Sequence, residues 1–155
     1  MTNSLLQGVF HLNHAAVKIC TAQKSIYIDP FHLPSPNHDA DIIFVTHHHH
    51  DHLSPDDIAA IAKEDTVLIA PASITGHLTN LGIAEIIKVE PGRDYVVQDI
   101  SFQTVPAYNI NKRFHPKDQA LVGYIITASG VRYYIAGDTD AIPEMNRIQT
   151  DVAFL

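Results

Sequence analysis

The chain has 155 residues, of which 10 are basic and 17 acidic, so its formal net charge is −7 with histidine neutral. Apolar residues make up 46% of it and charged residues 17%, which excludes a disordered chain and predicts one domain over residues 1–155. The acidic balance disfavours general nucleic-acid binding, and no apolar run approaches the roughly 18 residues that a membrane-spanning helix needs. The single cysteine, Cys20, excludes an internal disulfide, and with no secretory leader we expect a cytoplasmic protein.

The first third of the chain predicts short strands. Residues 15–20 and 25–29 are rich in β-branched and apolar side chains, and the four residues between them suit a hairpin. Three prolines within residues 30–40 predict a loop. The continuously apolar run 41–46 predicts a strand that is buried on both faces.

A helix is predicted directly after this strand and the histidine-rich segment that follows it. Ser54 can cap the helix, Pro55 suits its first position, and the helix should run to about Lys63. A polar loop is expected at 107–119. The other predicted elements are, in chain order, a strand at 67–70, a helix at 72–81, strands within 85–106, 121–127 and 131–136, a short helix at 143–147 and a strand at 151–155.

Histidine is the unusual residue type: the chain has 11, and five of them lie between positions 47 and 52. A purification tag would give such a run, but tags stand at chain termini, whereas this run separates a predicted strand from a predicted helix. In an extended segment residues i and i+2 point the same way, so His47 and His49 can share one metal. The same alternation directs His48 and His50 away from that metal.

The turn from this run into the helix lets Asp51 and His52 face a second metal beside the first. Imidazole and carboxylate ligands suit Zn²⁺, with Mn²⁺ and Fe²⁺ as the alternatives. The run therefore predicts a divalent metal site that holds one or two ions.

A family resemblance rests on these residues. The motif His47-x-His49-x-Asp51-His52, followed by Leu53-Ser54-Pro55, resembles the metal-binding signature of the metallo-β-lactamase-fold hydrolases, and most closely their small lactonase-like and uncharacterised branch. Further segments similar to the family's motifs lie along the chain in the order Asn13-His14-Ala15, Tyr27-Ile28-Asp29-Pro30, Val105-Pro106-Ala107-Tyr108-Asn109, Phe114-His115-Pro116 and Ala136-Gly137-Asp138-Thr139-Asp140.

This resemblance implies an α/β fold, the αββα sandwich of the family, with an incomplete second half. It also implies that Asp29 supports the histidine loop through hydrogen bonds rather than by binding metal. His14 matches a pocket-lining position, although a core or edge histidine explains it equally well. The implied ligands are His47, His49 and His115 on the first metal, Asp51 and His52 on the second, and Asp138 bridging both.

One departure from the family concerns the second metal. A further histidine, well downstream of the Gly-Asp-Thr segment, usually binds it, but this chain has no histidine after His115. The match also covers only the front part of the family's domain, and the chain stops on the apolar Phe154-Leu155. We therefore expect a C-terminally truncated hydrolase with about one tightly held metal, feeble activity, and exposed apolar faces through which copies associate.

The function that the resemblance implies is hydrolysis by a metal-activated water, acting on an ester, lactone, amide or phosphodiester of a small molecule. Asp51 is the expected catalytic residue, because it can orient the nucleophile and then protonate the leaving group. Nothing in the sequence selects among these bonds, since substrate choice depends on pocket loops.

Two other classes stay open. The first is a metal-binding protein without turnover, such as a sensor, which metal-dependent turnover of generic ester or phosphodiester substrates would exclude. The second is an interaction fragment that a partner chain completes, which light scattering would detect as association.

Overall fold

Residues 4–155 are described by the computed structural model, in which two sheets account for most of the regular structure. The chain divides into two units, one ending at Lys88 and the other beginning at Val89. This mixed α/β arrangement, with two sheets and few helices, confirms the predicted fold class. Within residues 4–155, no helix is both long and apolar enough to cross a membrane.

The first unit contains a six-stranded sheet whose strands follow one another in space as they do in the chain. Its first three strands are antiparallel neighbours, whereas the third, fourth and fifth run parallel. The bounds are β1 Val9–Asn13, β2 Ala16–Cys20, β3 Ser25–Ile28, β4 Ala40–Phe44, helix α1 Pro55–Ile61, β5 Ala62–Pro71 and β6 Glu85–Val89.

Strand β4 directs the chain into the histidine run. It lies between two parallel neighbours, β3 and β5, and Ile42, Ile43 and Phe44 are all fully buried. Apolar side chains that alternate between two covered faces produce the continuous apolar run seen in the sequence. The prediction of a strand buried on both faces is confirmed.

Helix α1 follows the histidine run and begins as predicted. Ser54 is its cap, and its hydroxyl lies 3.4 Å from the Asp57 N–H that it accepts. The Asp57 carboxylate accepts the backbone N–H groups of His32 and Leu33 at 2.9 and 2.8 Å, which ties the proline-rich loop to the helix. Burial alone would raise the pKa of Asp57, but these bonds and the one from Ser54 outweigh it and hold the pKa below its usual value.

The second unit contains a five-stranded sheet in the spatial order β11-β10-β9-β8-β7. Its pairs are antiparallel except β10 with β11, which are parallel. The bounds are β7 Asp94–Val97, β8 Ile100–Pro106, β9 Val122–Ala128, β10 Val131–Ile135 and β11 Val152–Phe154, with short 3₁₀ helices at Lys117–Gln119 and Pro143–Arg147.

Strand β5 begins at Ala62, five residues earlier than expected, so α1 ends at Ile61 instead of near Lys63, and the expected loop at 107–119 contains a 3₁₀ helix. Strand β1 and the segment after β5 also differ from the sequence-based expectation. Strand β1 was not predicted, because its residues are at most half-buried and lack a clean apolar alternation.

The helix expected at 72–81 is a 3₁₀ helix over Ala72–His77 that is kinked at Ile74 (φ −100°, ψ 16°). Ile74 and Thr75 are β-branched and Gly76 follows them, and all three are poor helix formers, which explains the short, irregular turn.

Gly123, the second residue of β9, is required by a close backbone approach. A Cβ atom there would lie 2.5 Å from the carbonyl oxygen of Ile135 and 2.8 Å from that of Ala136. Both oxygens belong to the backbone at the end of β10, which cannot move without disturbing the sheet. The glycine therefore fixes the point at which the chain leaves β10 for the Gly-Asp-Thr segment.

Replacing Gly123 with alanine should lower the free energy of unfolding by about 1–3 kcal/mol, because the methyl group overpacks the contact between strands. Urea denaturation would measure this loss. Gly76→Ala is the matched control, since a Cβ at Gly76 meets no atom within 4 Å. Equal stabilities for the two variants would contradict the steric argument.

Candidate metal centre

The buried carboxylate of Asp29 organises the histidine loop in the first unit. Asp29 directly follows β3 and is 1% exposed. Its Oδ1 accepts the backbone N–H of Thr46 at 2.8 Å, and its Oδ2 accepts the Thr46 hydroxyl at 2.7 Å and Nδ1 of His52, also at 2.7 Å. Asp29 thus joins the start of the histidine run to its end, as the family resemblance implied.

The bond between Thr46 and Asp29 fixes which nitrogen of His47 can bind a metal. The Thr46 hydroxyl has one proton and donates it to Asp29, so its contact with Nδ1 of His47, at 2.9 Å, requires Nδ1–H to be the donor. The lone pair of the neutral ring then lies on Nε2. His47 is 1% exposed and could ligate a metal only through that atom.

A hydrogen bond also fixes which nitrogen of His52 can bind a metal. It is 2% exposed, and its Nδ1–H donates to Asp29, which leaves the lone pair of the neutral ring on Nε2. Its ring centroid lies 4.0 Å from that of His47. A carboxylate that holds the far nitrogen of a histidine is the usual support of a metal ligand.

The run alternates as predicted. His47 and His49 offer ring nitrogens that lie within 4.8 Å of each other, close enough to share a metal. His48 instead stacks on His77, with ring centroids 4.4 Å apart and planes inclined by 21°. The exposed His50 packs edge-on to a phenylalanine at 5.9 Å. The structure thus brings together the two side chains that the alternation argument pairs, and whether they bind a metal stays a prediction.

A second cluster in the first unit contains a residue that the sequence left ambiguous. His14, Asp51 and His52 offer ligand atoms that all lie within 4.8 Å of one another. Nε2 of His14 is 2.9 Å from Oδ2 of Asp51, and Nε2 of His52 is 3.7 Å from the same oxygen. His14 therefore joins the two residues assigned to the second metal.

In the second unit, His115 and Asp138 form a corresponding pair. Their ligand atoms lie within 4.8 Å of each other, and Nδ1 of His115 is 3.1 Å from the backbone carbonyl oxygen of Asp138. Since a carbonyl can only accept, Nδ1 carries the proton and Nε2 is the ligand atom. His115 is 4% exposed, whereas Asp138 is exposed.

Loop residues beside this pair hold it in place. The hydroxyl of Thr139 accepts the backbone N–H of Tyr108 at 3.0 Å, and the N–H of Asp140 donates to the Tyr108 carbonyl, also at 3.0 Å. Hydrogen bonds from the Lys112 ammonium and from the N–H of Ile110 lower the pKa of Asp140, so its carboxylate is charged and fastens the loop. Tyr108 and Asp140 thus tie the loop to the Gly-Asp-Thr segment.

Comparison with known proteins identifies the family. The beta-lactamase superfamily domain matches residues 9–154 of the chain. The chain belongs to this family. A UPF0173 metal-dependent hydrolase of Anoxybacillus flavithermus is 30% identical over 159 residues, which cover 92% of this chain and 69% of that protein. This family is one of metal-dependent hydrolases, as the motifs in the sequence predicted.

Solved structures of metal-dependent hydrolases also resemble this chain. A candidate metal-dependent hydrolase from Parabacteroides distasonis is 34% identical, with a TM-score of 0.80 over 95% of this chain and 68% of that one. Igni18, a metallo hydrolase from Ignicoccus hospitalis, is 22% identical, with a TM-score of 0.68 over 88% of this chain and 63% of that one. The second likeness shows the fold alone. Together with the domain match, these neighbours confirm the metallo-β-lactamase-like fold.

Replacing Asp29 with asparagine should destabilise the first unit and weaken metal binding. The amide NH₂ would face the backbone N–H of Thr46 if it replaced Oδ1, or both the Thr46 hydroxyl and the His52 Nδ1–H if it replaced Oδ2. In either orientation at least one buried donor loses its charged acceptor. We expect a loss of about 2 kcal/mol in the free energy of unfolding and about a 10–100-fold loss of affinity for metal at His52. Urea denaturation and Zn²⁺ titration measure the two effects.

Asp118→Asn is the control for Asp29→Asn, because Asp118 is exposed and lies outside the histidine loop. It should behave as the unmodified protein in both measurements. If Asp29→Asn also does so, the carboxylate does not set the orientation of His52.

Alanine at His49 should sharply reduce the metal content of the purified protein, because His49 is predicted to share a metal with His47. Alanine at His48 or His50 should leave the content nearly unchanged, since these side chains lie against His77 and a phenylalanine. Elemental analysis of proteins purified in parallel measures the difference. Equal losses at His48 and His49 would contradict the alternation argument.

Proposed function

We propose that the chain is a hydrolase that uses divalent-metal-activated water on an ester, lactone, amide or phosphodiester of a small molecule. The observation that supports this most directly is the hydrogen-bonding pattern of three buried histidines. His47, His52 and His115 are each held through Nδ1 by an oxygen atom, so each would present Nε2 to a metal. In a preformed metal site, each ligating histidine is held through one ring nitrogen so that the other keeps its lone pair for the metal.

The proposed ligand set follows the family's motif order. The His47–His49 pair and the His115–Asp138 pair supply two ligands each, whereas a catalytic zinc site takes three protein ligands. We assign His47, His49 and His115 to the first metal and place Asp138 as a bridge to a second. Asp51 and His52 belong to that second metal in this assignment.

A bound divalent ion supplies Lewis acidity toward a carbonyl or phosphoryl oxygen and makes a nearby water more acidic. The chain's own contribution is positional. Asp51 is half-buried, and its carboxylate lies 3.7 Å from Nε2 of His52. From there the carboxylate can orient a water molecule, take up its proton and return that proton to the leaving group.

The identity of the metal, the substrate class and the cellular compartment are proposed on chemical grounds. Imidazole-rich sites with carboxylate partners favour Zn²⁺, with Mn²⁺ or Fe²⁺ as alternatives. The net charge of −7 disfavours RNA or DNA as substrate and therefore favours a small molecule. A single cysteine suits a reducing compartment, so we propose the cytoplasm.

The hydrolase proposal is tested with four generic substrates, namely p-nitrophenyl acetate, a γ-lactone, an amino-acid p-nitroanilide and bis-p-nitrophenyl phosphate. We expect turnover of at least one, abolished by chelation and restored by Zn²⁺. His49→Ala should lower the rate by more than about 100-fold, because removing a ligand costs more than removing its support. His48→Ala should retain the rate.

Two results would contradict the proposal. Turnover that survives exhaustive chelation would exclude a metal-dependent reaction. Tight Zn²⁺ binding with no turnover of any of the four substrates would favour the metal-binding protein without catalytic activity.

A further inference from the structure

His14 is placed where a metal ligand would be, although the family's motif does not assign it that role. It lies in the short connection between β1 and β2, 37 residues away in sequence from Asp51, whose carboxylate it meets at 2.9 Å. Nε2 of His11 lies 2.6 Å from the carbonyl oxygen of His14 and holds the backbone there. Roughly half of the His14 side chain is exposed, at 54%, so solvent ions can reach it.

The spacing of the three ligand atoms suits a small divalent ion. Zn–N and Zn–O bonds of about 2.0–2.2 Å place the ligand atoms of a tetrahedral site about 3.3 Å apart. The two distances to Oδ2 of Asp51 are 2.9 Å from His14 and 3.7 Å from His52, which lie on either side of that value. Shifts of a few tenths of an ångström would bring both of these distances to that value, and all three ligand atoms already lie within 4.8 Å of one another.

The electrostatics of the cluster favour a cation as well. Asp29 holds the proton of the neutral His52 ring on Nδ1, so Nε2 turns a lone pair toward the Asp51 carboxylate. Two acceptors that face each other at 3.7 Å repel unless a positive charge lies between them.

We propose that His14, Asp51 and His52 form a metal position of three protein ligands within the first unit, with His14 as a ligand in its own right. This inference rests on the proposed function and deepens it. The sequence left the second metal with Asp51, His52 and a shared Asp138, and therefore predicted weak binding. With His14 added, the first unit alone supplies three ligands, the number found in catalytic zinc sites that keep a position open for water.

The test is calorimetric titration of the chelator-treated full chain with Zn²⁺, with the bound metal counted by elemental analysis. The unmodified protein should bind two equivalents. His14→Gln and His14→Ala should each weaken the second equivalent by at least about 10-fold and leave the first unchanged. Glutamine keeps a donor within reach of Asp51 but has no imidazole, so it separates a ligand from a hydrogen-bonding residue.

His38→Gln is the matched control, because His38 is also exposed, lies in the same unit and has a similar positive φ of 48°, against 49° for His14. It should bind two equivalents, and thermal unfolding verifies that all variants are folded. His14→Gln with two equivalents as tight as in the unmodified protein would overturn the ligand role, whether or not His14→Ala is impaired. Unmodified protein that binds no Zn²⁺ would instead overturn the proposed function itself.

Discussion

The buried carboxylate of Asp29 is the constraint on which the site in the first unit depends. A charge removed from water is tolerated only when it is fully hydrogen-bonded, and Asp29 reaches that condition by accepting from Thr46 twice and from His52 once. These three bonds fix the two ends of the histidine run relative to β3. Strand β3 thus supports the histidine loop, and the hydrogen bonds that the Asp29 carboxylate accepts determine where the imidazoles lie.

The same arrangement recurs with different acceptors. His47 donates to a hydroxyl, His52 to a carboxylate and His115 to a backbone carbonyl, and each uses Nδ1. Because the acceptor determines which nitrogen keeps its proton, the ligand atoms are selected before any metal arrives. Such a preformed set of lone pairs would bind a metal without reorganising the loop.

As a proposed ligand, His14 comes from a different part of the chain than the family pattern suggests. The turn between β1 and β2 carries it to Asp51, and the sheet order places β1 at the edge of the six-stranded sheet. A metal site needs enough ligand atoms at the right distances from the ion, and the positions of those ligands in the sequence do not matter. The absence of a histidine after His115 therefore does not by itself decide how many ligands the second metal has.

The sequence by itself determined the features that depend on neighbours in the chain. The apolar run 41–46 predicted a strand covered on both faces, Ser54 predicted the start of α1, and the alternation in the histidine run separated candidate ligands from their neighbours. Only the tertiary structure showed that His14 reaches Asp51 and that the bonds of Asp29 select the ligand nitrogen of His52. The physical reason is that strand and helix patterns repeat over two to four residues, whereas these contacts join residues 23 and 37 positions apart, which only the pairing of strands brings together.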